Sequence, residues 1–166
     1  MERCEECGFS YDLGRAAQAG AEITDGAAAL AAMVAAAGTD VRSRRWPQTW
    51  SPLEYACHVR DMLLVQRERV LLARRKDRPS VEPMGRDERV EHDGYAEQEV
   101  ADVARQLTDA ARLFANVLAR LGDADWDRTM EYHYPGTAER SLRWVAVHTL
   151  HEVSHHTLDV SRQLAV

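Results

Sequence analysis

Between positions 100 and 121 apolar side chains return every three or four residues: Val100, Val103, Ala104, Leu107, Ala110, Ala111, Phe114, Val117, Leu118 and Leu121. That stride puts one apolar stripe along an α-helix, whereas a strand would scatter the same residues over both of its faces. An amphipathic helix over residues 95–121 is therefore expected, closed by Gly122. Its stripe needs partners, and the rest of the chain offers only helices. Isoleucine occurs once, at Ile23, phenylalanine only at Phe9 and Phe114, and β-branched alternation is hard to find.

Three further helices follow from local signals. Residues 11–37 are alanine-rich, lack proline and stop at Gly38, although Gly20, Gly26 and the cap-like Thr24-Asp25 allow a break in the middle. Ser51-Pro52-Leu53-Glu54 combines a capping serine, a proline at the first helical position and a glutamate able to bond back to the cap. It predicts a helix over 52–76. A last helix is expected over 141–164. The proline- and charge-rich segment 77–94 reads as a long loop lining a site entrance. Residues 123–140, with Trp126, Tyr132, His133, Tyr134 and Pro135-Gly136, read as an irregular aromatic cover over one end. The expectation is an all-α, antiparallel four-helix bundle with irregular loops at one end, a single domain spanning 1–166.

Charge narrows the function. The net charge of −6 supplies no positive field for phosphate backbones, so no nucleic-acid partner is expected. No segment offers the ~18 uninterrupted apolar residues of a membrane span, and no secretory leader is legible, so the expected location is cytoplasmic with no membrane contact. Cys4, Cys7 and Cys57 then read as reduced thiols, Cys57 as a packed core residue.

Four of the seven histidines fall in the last helix, within His148-Thr-Leu-His151-Glu152-Val-Ser-His155-His156-Thr-Leu-Asp159. At roughly 100° per residue, His148, His151, Glu152, His155, His156 and Asp159 share an arc of about 140°. Ligands four residues apart sit one turn above each other and can reach one ion, and both Glu152/His156 and His151/His155 have that spacing. His58, one turn after the capping box among Ala56, Val59, Met62 and Leu63, could supply a third ligand and leave a coordination position open. Asp159 could orient a ligand imidazole from behind or stand as an exposed acid. His92 and His133 read as surface residues. In the head, residues 1–10, Cys4-Glu-Glu-Cys7-Gly8 has the spacing of half a zinc knuckle, and a zinc site there would need histidine or acidic partners from the body.

Trp50-Ser-Pro-Leu-Glu-Tyr-Ala-Cys-His58 and His151-Glu-Val-Ser-His-His-Thr-Leu-Asp-Val160 together resemble the DinB-like superfamily, which includes mycothiol-dependent maleylpyruvate isomerases and other thiol-dependent transferases. The likeness covers roughly residues 46–164 and leaves the Cys4/Cys7 head unexplained. It implies a four-helix bundle holding a divalent metal, zinc or nickel, with one histidine from the second helix. It also selects a register, Glu-x-x-x-His followed by an acid, which matches Glu152, His156 and Asp159.

Such an ion would bind a low-molecular-weight thiol such as mycothiol and make it a thiolate for S-transfer to an electrophilic substrate or for isomerisation, with His148, His151 or His155 moving the proton. No arginine can be assigned to the substrate from spacing. The competing expectation is a non-catalytic metal-binding or stress-response bundle, its ion closed off by a fourth ligand, His148 or His151. The resemblance also leaves a homodimer open.

Overall fold

A computed structural model describes residues 3–134 and 136–165; Pro135 of the aromatic connection lies outside them. Four long helices form the body: α1 (Ala19–Ala36), α2 (Pro52–Arg75), α4 (Val100–Leu118) and α6 (Leu142–Leu164), with short helices α3 (Arg86–His92) and α5 (Asp123–Trp126) in the connections. The main packing runs α1 on α4, α4 on α2, α2 on α6 and α6 on α1. The consecutive long helices α1 and α2, and likewise α4 and α6, are thus diagonal to each other, while α2 and α6 lie side by side. Ile23, Leu30, Leu53, Leu63, Leu107, Phe114 and Leu142 are fully buried between them.

The second helix begins where its capping box says. Ser51 Oγ accepts from the Glu54 N–H at 3.3 Å, Glu54 Oε2 accepts from the Ser51 N–H at 2.7 Å, and Pro52 occupies the first turn. Arg44 adds a fork onto the same carboxylate, at 2.8 and 2.5 Å. Burial would raise the Glu54 carboxyl, but Arg44 and Ser51 hold it below the usual carboxylate range. Glu54→Ala should therefore cost about 1–3 kcal/mol at neutral pH. Because the folded-state value is depressed, the stabilisation is complete above the unfolded value near ~4.3 and is lost as pH falls through the folded one. Urea melts of the two proteins should converge as the pH is taken below the unfolded value, and a gap that stays constant on acidification would contradict this account.

The first helix runs unbroken through Gly20 and Gly26 because both serve packing. A Cβ at Gly20 would stand 3.5 Å from the Ala115 backbone of α4, and one at Gly26 would stand 2.9 Å from Val153 Cγ1 of α6. These glycines let helices approach closely rather than ending one. The helix starts later than position 11, since Asp12 Oδ1 accepts from the Gly14 N–H at 2.9 Å and diverts residues 13–15 into a 3-10 turn. It ends at the expected place, with Gly38 at φ 60°. It is also the one described helix long and apolar enough to cross a membrane, and its Ala19, Ile23, Ala27, Leu30 and Val34 are buried in the bundle.

The connections hold more structure than the all-helical reading gave them. Segment 77–94 contributes α3 and strand β1 (Ser80–Val81), while the aromatic connection contributes β2 (Thr129–Tyr132) and β3 (Ala138–Ser141). β1 pairs parallel to β2, and β2 antiparallel to β3, with Tyr132 opposite Ala138. Met130 and Tyr132 point inward and Glu131 outward. An alternation over four residues is too short to stand out in the sequence. The third long helix also starts late, because Gly94 at φ 55° turns Tyr95 into the core, where its hydroxyl donates to Asp61 Oδ2 at 2.7 Å.

Candidate metal centre

Because α2 lies against α6, its first three turns are buried throughout, and His58 is only 3% exposed. Across from it stand Glu152 and His156, one turn apart on α6. His58, Glu152 and His156 each offer one donor atom, all within 4.8 Å of one another. His156 Nε2 and Glu152 Oε2 are 3.6 Å apart. That is long for a hydrogen bond and close to the spacing of two ligands on one tetrahedral ion, about 3.4 Å for bonds near 2.1 Å. On the far side of the ring, His156 Nδ1 faces Asp159 Oδ2 at 3.0 Å, which fixes Nε2 as the nitrogen turned inward.

The electrostatics match this arrangement. Burial would lower His156, but the Asp159 and Glu152 carboxylates hold it up at about 9. Burial would raise Glu152, yet hydrogen bonds from His151 and His156 hold it well below the usual range. His58 is pulled down to about 3 by burial and by the charge on His156, so its ring is neutral and keeps a lone pair. His58 Nδ1 is fully buried without a hydrogen-bond partner. A buried polar atom left so is costly, and an ion shared with Glu152 and His156 would give the ring a partner. Two imidazoles and a carboxylate suit zinc or nickel.

The three-donor set opens on a cavity of ≈340 Å³, with His58, Glu152 and His148 in its wall. Segment 77–94 does form part of its lining, through Pro83, Met84 and Arg86. His148 stacks on Trp144 at 4.4 Å, and its Nδ1 lies 2.8 Å from the Tyr11 hydroxyl. Burial lowers it to about 4, so it is neutral at pH 7.

Sequence reasoning missed Arg69, Gln66 and Tyr132, which line the same cavity. Arg69 is 9% exposed, yet among the described residues no carboxylate pairs with it. Its guanidinium lies over the Tyr132 ring at 4.8 Å and donates to the Tyr132 hydroxyl at 2.8 Å and to the Glu82 carbonyl. Gln66 Nε2 donates to the same hydroxyl at 2.8 Å. The signal was present, since positions 58, 62, 66 and 69 share one helical face within about 80°.

The remaining candidates turn elsewhere. His151 Nδ1 lies 2.9 Å from the Tyr11 hydroxyl and 3.2 Å from Glu152 Oε1, while His155 Nδ1 lies 3.7 Å from Cys4 Sγ. The cluster on α6 is therefore divided between two places. Burial would raise the Cys4 thiol, but the backbone N–H of Cys7 and the His151 ring hold it at about 6. Cys57 is buried, as expected of a core thiol. His92 is exposed. His133 lies in the loop after β2, with Ser80 Oγ at 2.7 Å and Thr137 Oγ1 at 3.0 Å from its ring nitrogens.

The sequence profile of the DinB superfamily matches residues 22–160. Among solved structures, YfiT from Bacillus subtilis, described as a probable metal-dependent hydrolase with an unusual four-helix bundle topology, superposes with a TM-score of 0.69. The identity is 14%, and the match covers 86% of each chain. That likeness concerns the fold. No curated protein matches the chain.

Proposed function

Since the chain belongs to the DinB superfamily, we propose that it is a divalent-metal-dependent enzyme that uses a low-molecular-weight thiol of the mycothiol type on a small, carboxylate-bearing electrophile. The observation that carries this reading is a three-donor set open to a cavity whose wall also holds a buried guanidinium with no carboxylate partner among the described residues. His58, Glu152 and His156 would hold the ion, zinc before nickel. When bound, it would supply Lewis acidity that lowers the pKa of a thiol on its free side.

The chain's own residues supply the rest. Arg69 binds the substrate carboxylate, and Tyr132, which accepts from Gln66 and Arg69, keeps its own proton to donate. Met62, Met84 and Pro83 give the cavity an apolar wall that limits water. His148, neutral and facing the cavity, receives the thiol proton, while the sulfur lone pair forms the new bond to carbon and the leaving group departs with the electrons of the broken one. In the isomerisation variant the sulfur adds to a double bond and later leaves, returning the proton. Histidines 151 and 155 are poorly placed for this work. A thiol cosubstrate needs a reducing compartment, so the cytoplasm is the location that the reading implies.

Mixing metal-loaded protein, a small thiol and monobromobimane or chloroacetate tests it. The expected result is thioether formed faster than with metal-free protein or with His58→Ala. No rate above those controls would leave the non-catalytic reading. Product formed equally fast without thiol would point to water as the nucleophile, the chemistry named for YfiT.

A further inference from the structure

The head of the chain is built as a ligand turn. Gly8 at φ 74° closes it, with the Gly8 N–H donating to the Cys4 carbonyl and the Cys4 N–H to the Phe9 carbonyl, both at 2.8 Å. The turn lies against α6, held by the Arg162 guanidinium on the Glu6 carbonyl at 3.2 Å and by Phe9 against the His151 ring at 5.2 Å.

We propose that Cys4, Cys7, His151 and His155 hold a second, structural zinc ion that pins the head to α6. Their donor atoms all lie within 4.8 Å of one another. Cys4 Sγ and His155 Nδ1 are 3.7 Å apart, and a tetrahedral ion with Zn–S near 2.3 Å and Zn–N near 2.05 Å spaces such donors by about 3.6 Å. His151 is 6% exposed, and its Nε2 is buried with no hydrogen-bond partner. Its Nδ1 is already taken by Tyr11 and Glu152, so Nε2 is the nitrogen left to bind.

His155 shows the complementary pattern. Its Nε2 faces Glu6 Oε2 at 3.3 Å and Asp159 Oδ2 at 3.5 Å, leaving Nδ1 for the ion. Each ligand ring thus backs onto a carboxylate, the usual support for zinc-bound histidine. A disulfide between the cysteines would leave His151 Nε2 orphaned, whereas an ion uses all four groups. Four protein ligands close the coordination sphere, which makes this centre structural and separates it from the open set at the cavity. Two carboxylates link the centres, since Glu152, a donor at the cavity, also faces His151, and Asp159 faces both His155 and His156. The ion would also fix Tyr11 and, through it, His148.

Anaerobic cobalt(II) titration of the reduced, metal-free full-length chain tests the proposal independently of the cavity centre. The expected result is a thiolate-to-cobalt charge-transfer band in the near ultraviolet together with tetrahedral visible bands. The charge-transfer band should be lost in Cys4→Ser/Cys7→Ser and retained in His58→Ala. Binding without a charge-transfer band, or a band that survives in the double serine variant, would overturn it. Should that variant fail to fold, the wild-type protein still decides. Its thiols should react with a disulfide reagent at least about tenfold more slowly with zinc than without, and equal rates would overturn the proposal.

Discussion

Replacing His156 by alanine will remove the ion at the cavity and with it the thiol-dependent rate, by at least roughly a hundredfold. The scale follows from the lesser case, since deleting only a partner behind a ligand costs about 10–100-fold in metal affinity or activity. His156 sits with Nε2 toward Glu152 and Nδ1 on Asp159, at 3.6 and 3.0 Å, so no neighbouring imidazole can take its place without turning the helix. His155→Ala is the matched control. It removes a ring that faces Cys4, and it should leave transfer within a few-fold while abolishing the cobalt–thiolate band. Metal analysis and rates measured side by side decide the matter. If His155→Ala empties the cavity and His156→Ala does not, the assignment of both centres is wrong.

Arg69→Met should lower the specificity constant for chloroacetate about a hundredfold while leaving chloroacetamide, its neutral counterpart, within a few-fold of wild type. A charge-assisted hydrogen-bonded pair to a carboxylate contributes about 1.5–3 kcal/mol, enough for that ratio. The loss should fall mainly on KM, because Arg69 would hold a carboxylate whose charge does not change in the reaction. Stability should hold or rise slightly. A guanidinium buried without a carboxylate carries a desolvation cost that methionine does not, offset here by its bonds to Tyr132 and the Glu82 carbonyl. Arg69→Lys should recover part of the chloroacetate rate. Equal losses on the two electrophiles would remove Arg69 from substrate binding.

Asp159 illustrates how far spacing reaches. Three residues beyond His156 on one face, it was expected either behind a ligand or at the surface, and the helix alone brings its carboxylate to His156 Nδ1. Arg69 illustrates the limit. Its place on the His58 face is legible, but the chemistry of that face depends on Tyr132 arriving from a strand 63 residues away. The Cys4-x-x-Cys7 turn falls between these cases. Its two thiols declare a half-site, whereas the other half comes from His155, 151 positions later.

The sequence by itself determined whatever is decided within one helical turn: the capping box at Ser51, the stop at Gly38, the amphipathic stripe of α4, and the common face of Glu152, His156 and Asp159, whereas Gly122, expected to close α4, caps α5 instead and α4 ends at Leu118. These rest on backbone geometry and on contacts between residues three or four apart, which sequence spacing encodes directly. Only the tertiary structure decided that the histidines of α6 face two places instead of one. It also determined that two helical glycines mark close packing rather than breaks, that a three-stranded sheet carries Tyr132 to the cavity, and that Arg69 lines that cavity with no carboxylate partner among the described residues. Those outcomes depend on which helices lie side by side, and that is set by packing of side chains distant in sequence, for which no local signal exists.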